Sequence, residues 1–168
     1  MSLSSLSSTH THAVIEGELY ERNLMLILSA MSDEELISYC SETLILIYSQ
    51  HDIHKYPATV LKFIVQIVKL EDLLNDAIKK QQSTIYASLY NLFIHIGETH
   101  SRLILDAILT KEEYRDSILK LITFVLQCSA TDGYYPVDET CSEQAFNFWY
   151  TLQGEFSLLN RSVLPRSR

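Results

Sequence analysis

A stiff connector between two helical segments does most to limit what this chain can fold into. Residues 111–128 carry apolar side chains at helical spacing, and residues 140–159 form a second helical segment rich in aromatic side chains. Between them, Gly133 permits backbone angles that other residues adopt only at a cost, and Pro136 fixes its own φ and restricts Tyr135. Two helices that fold back on each other across a structured loop form the repeating unit of an α-solenoid.

Four more helical segments precede this pair, at about 13–31, 32–50, 57–80 and 83–109. Glu71 marks an expected bend in the third segment, and residues 97–100 mark an expected interruption of the fourth. Short connections require antiparallel neighbours. The sequence therefore predicts an all-α protein, an α-solenoid of about three HEAT-like antiparallel helix pairs.

Two serine or threonine residues stand where helices are expected to begin. Ser32 and Thr110 are each followed three residues later by a glutamate, Glu35 and Glu113, which is the capping-box pattern. We therefore expect Ser32 to cap the second helix and Thr110 to cap the fifth.

The ends of the chain differ from its body. Residues 1–12 are rich in Ser, Thr and His and predict a disordered tail, residues 13–159 form the helical segment, and residues 160–168 form a basic tail. Neither end of the helical stack has an evident polar cap, which favours a piece of a longer solenoid. No secretory signal and no membrane-spanning run is recognisable.

The three cysteines, Cys40, Cys128 and Cys141, show no C-x-x-C spacing and lie in or beside helical apolar patterns. We expect them to be small core residues of an intracellular protein in a reducing compartment.

Charge is distributed unevenly along the chain. Residues 1–159 hold all 21 acidic residues and 10 of the 13 Lys and Arg residues, a formal net charge of −11 against −8 for the whole chain. An acidic body disfavours direct nucleic-acid binding and favours basic protein partners. Solubility alone would also account for this acidity, and both explanations remain open.

Three blocks of sequence resemble one protein family. They are ETHSRLILD at 98–106, GYYPVDET at 133–140 and FWYTLQ at 148–153. These blocks and their spacing resemble the importin-thirteen and transportin-SR branch of the karyopherin-β superfamily, in which G-E-x-H-S-R-x-L-x-D closes one HEAT repeat and a loop like H-Y-P-V-N-E-T leads into F-W-Y-x-L-Q. The resemblance ends after Glu155.

This resemblance implies a nuclear transport receptor, found in cytoplasm and nucleus, that binds cargo on the inner surface of its superhelix and is regulated by the Ran GTPase. Family members are several times longer, and their main Ran-binding repeats have no counterpart here. Ran binding is therefore expected through a longer parent protein. The alternative is a HEAT-repeat scaffold or adaptor without linkage to Ran.

No catalytic or metal site is expected. The pair His51 and His54 lacks a third ligand at suitable spacing, Cys128 lacks a His–acid arrangement, and no nucleotide-binding or hydrolase motif is present. We expect a non-enzyme without cofactors that does not insert into membranes.

The expected partner-binding residues lie in the connector and in the first block of the resemblance. They are Asp132, Tyr134, Tyr135, Asp138, Glu139, Glu98 and Arg102. A structural alternative exists for the connector acids, because Asp138 or Thr140 is well placed to cap the sixth helix. The aromatic cluster at 146–150 is more typical of a core than of a site, with Phe146 and Tyr150 on one helical face beside Trp149.

Overall fold

The computed structural model describes residues 18–133, 135–137 and 139–163, and all regular structure in these ranges is helical. In chain order the α-helices are α1 (18–30 of the described residues), α2 (Ile37–Tyr48), α3 (Pro57–Ile67), α4 (Glu71–Lys79), α5 (Ser83–Thr99), α6 (Ser101–Thr110), α7 (Glu112–Ser129) and α8 (Gln144–Val163). Short 3₁₀ turns cover Glu34–Leu36, His51–Lys55 and Val68–Leu70. The all-α prediction is confirmed. The predicted tail at 1–12 lies outside the described residues.

The two expected interruptions divide the long central segments. The third predicted helix bends through the turn Val68–Leu70, which separates α3 from α4, and the fourth is broken at His100, which separates α5 from α6. The six predicted segments are therefore eight helices in the described part of the chain. The last helix begins at Gln144 instead of 140 and continues to Val163, beyond the predicted end at 159.

The helices form two layers. In one layer α5 lies between α2 and α8, and α6 also packs on α8; in the other, α3 contacts α7, and an ion pair of 2.7 Å between Glu21 and Lys62 joins α1 to α3. Contacts of α5 with α4 and of α7 with α8 connect the layers. Three successive helix pairs thus stack side by side, which is the predicted α-solenoid arrangement.

Large aromatic side chains fill the space between the layers. Tyr48 stacks on Phe63 with ring centroids 3.5 Å apart, and Phe93 packs on Phe124 at 4.8 Å. All four are at most 1% exposed. The three cysteines are buried, as predicted.

Both predicted capping boxes are wrong. Asp33, not Ser32, accepts a hydrogen bond from the backbone N–H of Glu35 (3.0 Å), while the Ser32 hydroxyl donates to the last turn of α1. The reason is that the chain is still turning out of α1 at Ser32, so the first extended residue is the next one. Thr110 is itself the last residue of α6, and its hydroxyl donates back to the carbonyl of Asp106.

The first two and the last two helices expose large apolar side chains. On α1 and α2 these are Leu19, Met25, Leu26, Tyr39 and Leu46, and on α7 and α8 they are Leu119, Leu126, Phe146, Tyr150 and Leu158. Phe146 and Tyr150 share a face as predicted, but that face points outward, and Phe148 is the aromatic residue buried between the helices. No helix in the described part of the chain is long and apolar enough to cross a bilayer.

Candidate protein-interaction site

The Glu139 carboxylate holds together the turn that leads into α8. One carboxylate oxygen accepts hydrogen bonds from the backbone N–H groups of Cys141 (2.8 Å) and Ser142 (2.9 Å), and the other accepts the Ser142 hydroxyl (2.5 Å). The hydroxyl and then these N–H groups favour the ionised form, so the pKa of Glu139 lies below its usual value. Glu139 is also buried, so the structure uses its carboxylate within the turn, and its role as a partner-binding residue stays a prediction. Its oxygens are already occupied.

The predicted capping role exists, but at a different residue. Thr140 is exposed and lies four residues before α8 begins, so it does not cap that helix. Glu139 caps the preceding turn instead. Asp138 and Tyr134 lie outside the described residues, and their predicted roles remain predictions.

Tyr135 stands on the outer side of the same connector. Its ring is 38% exposed, and its hydroxyl donates a hydrogen bond to the carboxylate of Glu143. Because this hydrogen bond stabilises the protonated form of the phenol, the pKa of Tyr135 is raised above its usual value. Tyr135 thus presents its ring to solvent while its hydroxyl is engaged within the connector.

A groove beside the connector contains the predicted residue Asp132. We call it the tyrosine groove; it has a volume of about 410 Å³ and is lined by Ile78, Gln81, Tyr86, Tyr90, Gln127, Ala130, Thr131 and Asp132. The two tyrosines lie one turn apart on α5, with ring centroids 6.2 Å apart at 68°. Asp132 is exposed and supplies the carboxylate of this groove.

Glu98 and Arg102 lie at the other end of α5, at its break from α6. Arg102 is exposed and Glu98 half-buried. Arg102 lines a second groove, the junction groove, of about 510 Å³ between the start of α3, the α5–α6 break and the end of α8. A helix of 17 residues such as α5 is about 25 Å long, so the structure does not bring the predicted partner-binding residues together.

His100, at the α5–α6 break, has a structural role that the sequence did not reveal. It is 2% exposed, and its Nε2 lies 3.0 Å from the carbonyl oxygen of Tyr48. That carbonyl belongs to the last turn of α2, whose C=O groups lack helical partners. Burial lowers the pKa of His100 to about 4, an effect that the bond to Tyr48 opposes and nearby His54 and His95 reinforce. His100 is therefore neutral at pH 7, and its Nε2–H donates a hydrogen bond to the Tyr48 carbonyl at the end of α2.

Gly97, at the end of α5, packs closely against the first residue of the third sequence block, Phe148. A Cβ atom at Gly97 would lie 2.6 Å from the Phe148 ring, closer than real Cβ contacts allow. The glycine directly before the first block thus makes room for the buried phenylalanine of the third. One sequence signal points to this face, because the buried residues Phe93, Ile96, Gly97 and His100 follow helical spacing.

Charge in the last part of the chain has one sign. Residues 121–160 contain five acidic residues, Asp132, Asp138, Glu139, Glu143 and Glu155, and no Lys, Arg or His. Within the ranges that the structure describes, no cluster of three or more His, Cys, Asp or Glu side chains is arranged to hold a metal ion. Of the described acids, Asp132 lies exposed beside the rings of Tyr86 and Tyr90, and a carboxylate beside aromatic rings suits cationic groups.

Comparisons with known proteins agree with this architecture. No protein-family model matches the chain. The importin-13 proteins of human and cow are each 32% identical to it over 127 residues, which is 76% of this chain and 13% of the relative; chicken importin-13 gives the same values. A solved structure described as importin-13 in its cytosolic state matches with a TM-score of 0.68 and 31% identity, over 74% of this chain and 15% of that one.

The fold and its two grooves define a segment of a HEAT-type α-solenoid, a class of protein whose stacked helix pairs present extended surfaces for binding other proteins. The resemblance found in the sequence is confirmed by the relatives and by the solved structure. This chain belongs to the importin-13 branch of the karyopherin-β superfamily, and it spans about 13% of the length of the relatives that it matches.

Proposed function

We propose that this chain acts as a protein-binding segment of a nuclear transport receptor, in which it contacts basic cargo proteins. The observation that carries the proposal is the match to importin-13, at 32% identity over 127 residues and with the same fold. Gly97, directly before the first of the resembling blocks, and Phe148, which begins the third, are also packed against each other in the structure.

The charge of the chain supports basic partners. The exposed residues Asp132 and Glu143 belong to a stretch, residues 121–160, that contains no Lys, Arg or His, so a Lys- or Arg-rich protein would meet carboxylates of opposite charge there. Attraction of this kind speeds association and weakens as salt screens exposed charges, over a Debye length of about 8 Å at physiological ionic strength. The same surface repels phosphate backbones.

Ran regulation and shuttling between cytoplasm and nucleus are part of the proposal for the whole receptor. The relatives carry the name importin-13, and none of those described above is named as an enzyme. We propose a non-catalytic role without a cofactor, in which Ran acts through repeats of a longer parent protein.

A chimeric receptor tests this proposal. The matching 127 residues of human importin-13 are replaced by the corresponding part of this chain, and binding of a basic cargo is measured by surface plasmon resonance with Ran loaded with GTP or GDP. We expect cargo to bind, and the GTP-loaded form of Ran to change that binding while the GDP-loaded form does not. The unmodified human receptor is the positive control, and the chimera carrying Phe148→Ala, which damages the core, is the negative one.

The second candidate is a HEAT-repeat scaffold without linkage to Ran. The stacked helix pairs favour it, because such a stack presents a binding surface without any contact with Ran. In the chimera, cargo binding that is the same with both nucleotide forms of Ran would favour the scaffold. Cargo binding that is absent, or equally strong at 50 mM and 500 mM salt, would contradict the proposed contact with basic cargo.

A further inference from the structure

The tyrosine groove presents two aromatic rings that the fold holds in place. Tyr90 is 3% exposed and is fixed in the core, whereas Tyr86, one turn earlier on α5, is half-buried and shows part of its ring to the groove. The edge-on contact between the rings restrains Tyr86. A ring face that is already positioned loses little side-chain entropy when a ligand stacks on it.

Negative charge accompanies these rings. Asp132 lies in the lining of the groove, and Glu139 is close enough to Tyr86 to reinforce, after burial and Cys141, the raised pKa of its phenol. Lys79 and Lys80 follow the lining residue Ile78 at the end of α4. Lys80 is engaged in an ion pair with Asp76 at 2.7 Å.

The size of the groove restricts what it can hold. Its volume of about 410 Å³ suits one long side chain with the backbone beside it, not a folded domain. A cation is favoured twice, by the faces of the tyrosine rings and by the Asp132 carboxylate. Arginine fits better than lysine, because its planar guanidinium group can stack on a ring while it donates to a carboxylate.

We infer that the tyrosine groove holds an arginine side chain from an extended basic segment of the cargo. The guanidinium group stacks on Tyr86 and donates hydrogen bonds to Asp132, and Tyr90 supports the Tyr86 ring from the core. This inference rests on the proposed function and adds a position and a preferred side chain to it. The junction groove, where Arg102 is exposed, does not take part.

Peptide binding to the whole 168-residue chain tests the inference. The probe is fluorescein-labelled tetra-arginine, with tetra-lysine and the uncharged tetra-citrulline as matched peptides, and affinity is measured by fluorescence anisotropy. We expect tetra-arginine to bind most tightly, tetra-lysine more weakly and tetra-citrulline most weakly. Tyr86→Leu should weaken tetra-arginine binding about three- to tenfold, as loss of a cation–π contact predicts, and Tyr86→Phe should keep it within about twofold.

Charge variants separate the groove from the general acidity of the chain. Asp132→Asn should weaken binding about two- to fivefold, whereas Asp116→Asn, an equal change of charge on an exposed residue near the start of α7, should change it by less than about 1.5-fold. In an NMR titration with tetra-arginine, the largest shifts should fall on Tyr86, Gln127 and Asp132.

The possible failures are distinguishable. If tetra-arginine binds but Tyr86→Leu has no larger effect than Asp116→Asn, the groove is not the site, although an acidic cargo-binding surface survives. Equal affinity for tetra-arginine and tetra-citrulline would overturn the role of charge. If the native chain binds neither basic peptide, both the inference and the proposed preference for basic cargo are wrong.

Discussion

The break between α5 and α6 and the connector before α8 both contain sequence blocks that resemble importin-13, but the structure uses them differently. At the break, Gly97 and His100 are buried and each has a partner distant in sequence, the Phe148 ring and the Tyr48 carbonyl. In the connector, the bonds of Glu139 and Tyr135 reach only residues up to eight positions away. The break connects α5 to the distant helices α2 and α8, whereas the connector makes hydrogen bonds only within its own neighbourhood in sequence.

A sequence block that is shared with a family therefore does not identify a binding site by itself. His100, in the first block, contacts α2, and Gly97, directly before that block, lies against α8. Surface chemistry lies instead at positions such as Asp132 and Tyr86, which are exposed or half-buried beside the connector. We therefore expect substitutions at the break to lower the free energy of unfolding strongly and substitutions in the connector to lower it only slightly.

The largest effect is expected from Phe148→Ala. The ring is fully buried against Gly97 and meets Trp149 edge-on at 4.9 Å. Its removal should lower the free energy of unfolding by about 3–5 kcal/mol, measured by urea denaturation with circular dichroism. The matched control is Phe146→Ala, two residues earlier and 63% exposed, which should cost less than about 1 kcal/mol. Equal losses would show that the last helix is not anchored at the break.

Acid should weaken the break through His100. The folded state binds a proton at a pKa of about 4 and the unfolded chain near 6.5, so between these values the unfolded state holds more protons. This contribution to stability is complete above pH 6.5 and is lost as the pH falls towards 4. The shift corresponds to a contribution on the order of 3 kcal/mol.

Denaturation of the native chain and of His100→Gln at several pH values tests this prediction. Glutamine keeps a donor for the Tyr48 carbonyl but does not titrate in this range. Between pH 6.5 and 4 the native chain should lose about 3 kcal/mol more than the variant, because the carboxylates common to both cancel in the difference. Parallel curves for the two proteins would contradict a buried neutral His100.

The next largest change in stability is expected from substitution of Gly97, with Gly154 as its matched control. Gly97→Ala places a Cβ atom 2.6 Å from the Phe148 ring, so the ring or α8 must move, at a cost of about 1–3 kcal/mol. Gly154→Ala makes the same chemical change in α8, where no atom lies within 4 Å, and should stabilise by about 0.5–1 kcal/mol because alanine favours a helix. Thermal unfolding of both variants shows whether the two changes in stability have opposite signs. If Gly97→Ala stabilises the protein, close packing of Phe148 on Gly97 does not contribute to the stability of the break.

Much of the fold was predictable because helical periodicity is local. The apolar pattern gives the helix pairs, and even the bend near Glu71 and the interruption near Gly97 follow from short stretches of sequence. The roles of Gly97 and His100 were not predictable, since their partners are 51 and 52 residues away. The helix caps were missed for another reason. Whether Ser32 or Asp33 is the cap depends on where the backbone leaves α1, a shift of one residue that composition does not resolve.

The candidate site was predicted only in part for the same reason. Asp132 and Tyr135 are exposed as expected, but Glu139 is buried by hydrogen bonds to its own turn. Tyr86 was not singled out, because it is 46 residues before Asp132 in the sequence and joins it only when α5 packs beside α7. A loop sequence shows which side chains are polar, but it does not show which of them will form hydrogen bonds with the backbone of the loop.

The smallest effect is expected in the connector, from Glu139→Ala. The substitution removes the acceptor of three hydrogen bonds in the turn before α8, and loss of a cap of this kind costs about 0.5–2 kcal/mol. The control is Thr140→Ala, the adjacent exposed position, where we expect a change within about 0.5 kcal/mol. Urea denaturation measures both, and hydrogen exchange should show faster opening of the Cys141 and Ser142 amides in Glu139→Ala. If Thr140→Ala is the more damaging, Thr140 and not Glu139 stabilises the start of the last helix, and the Glu139 carboxylate returns to the set of residues available to partners.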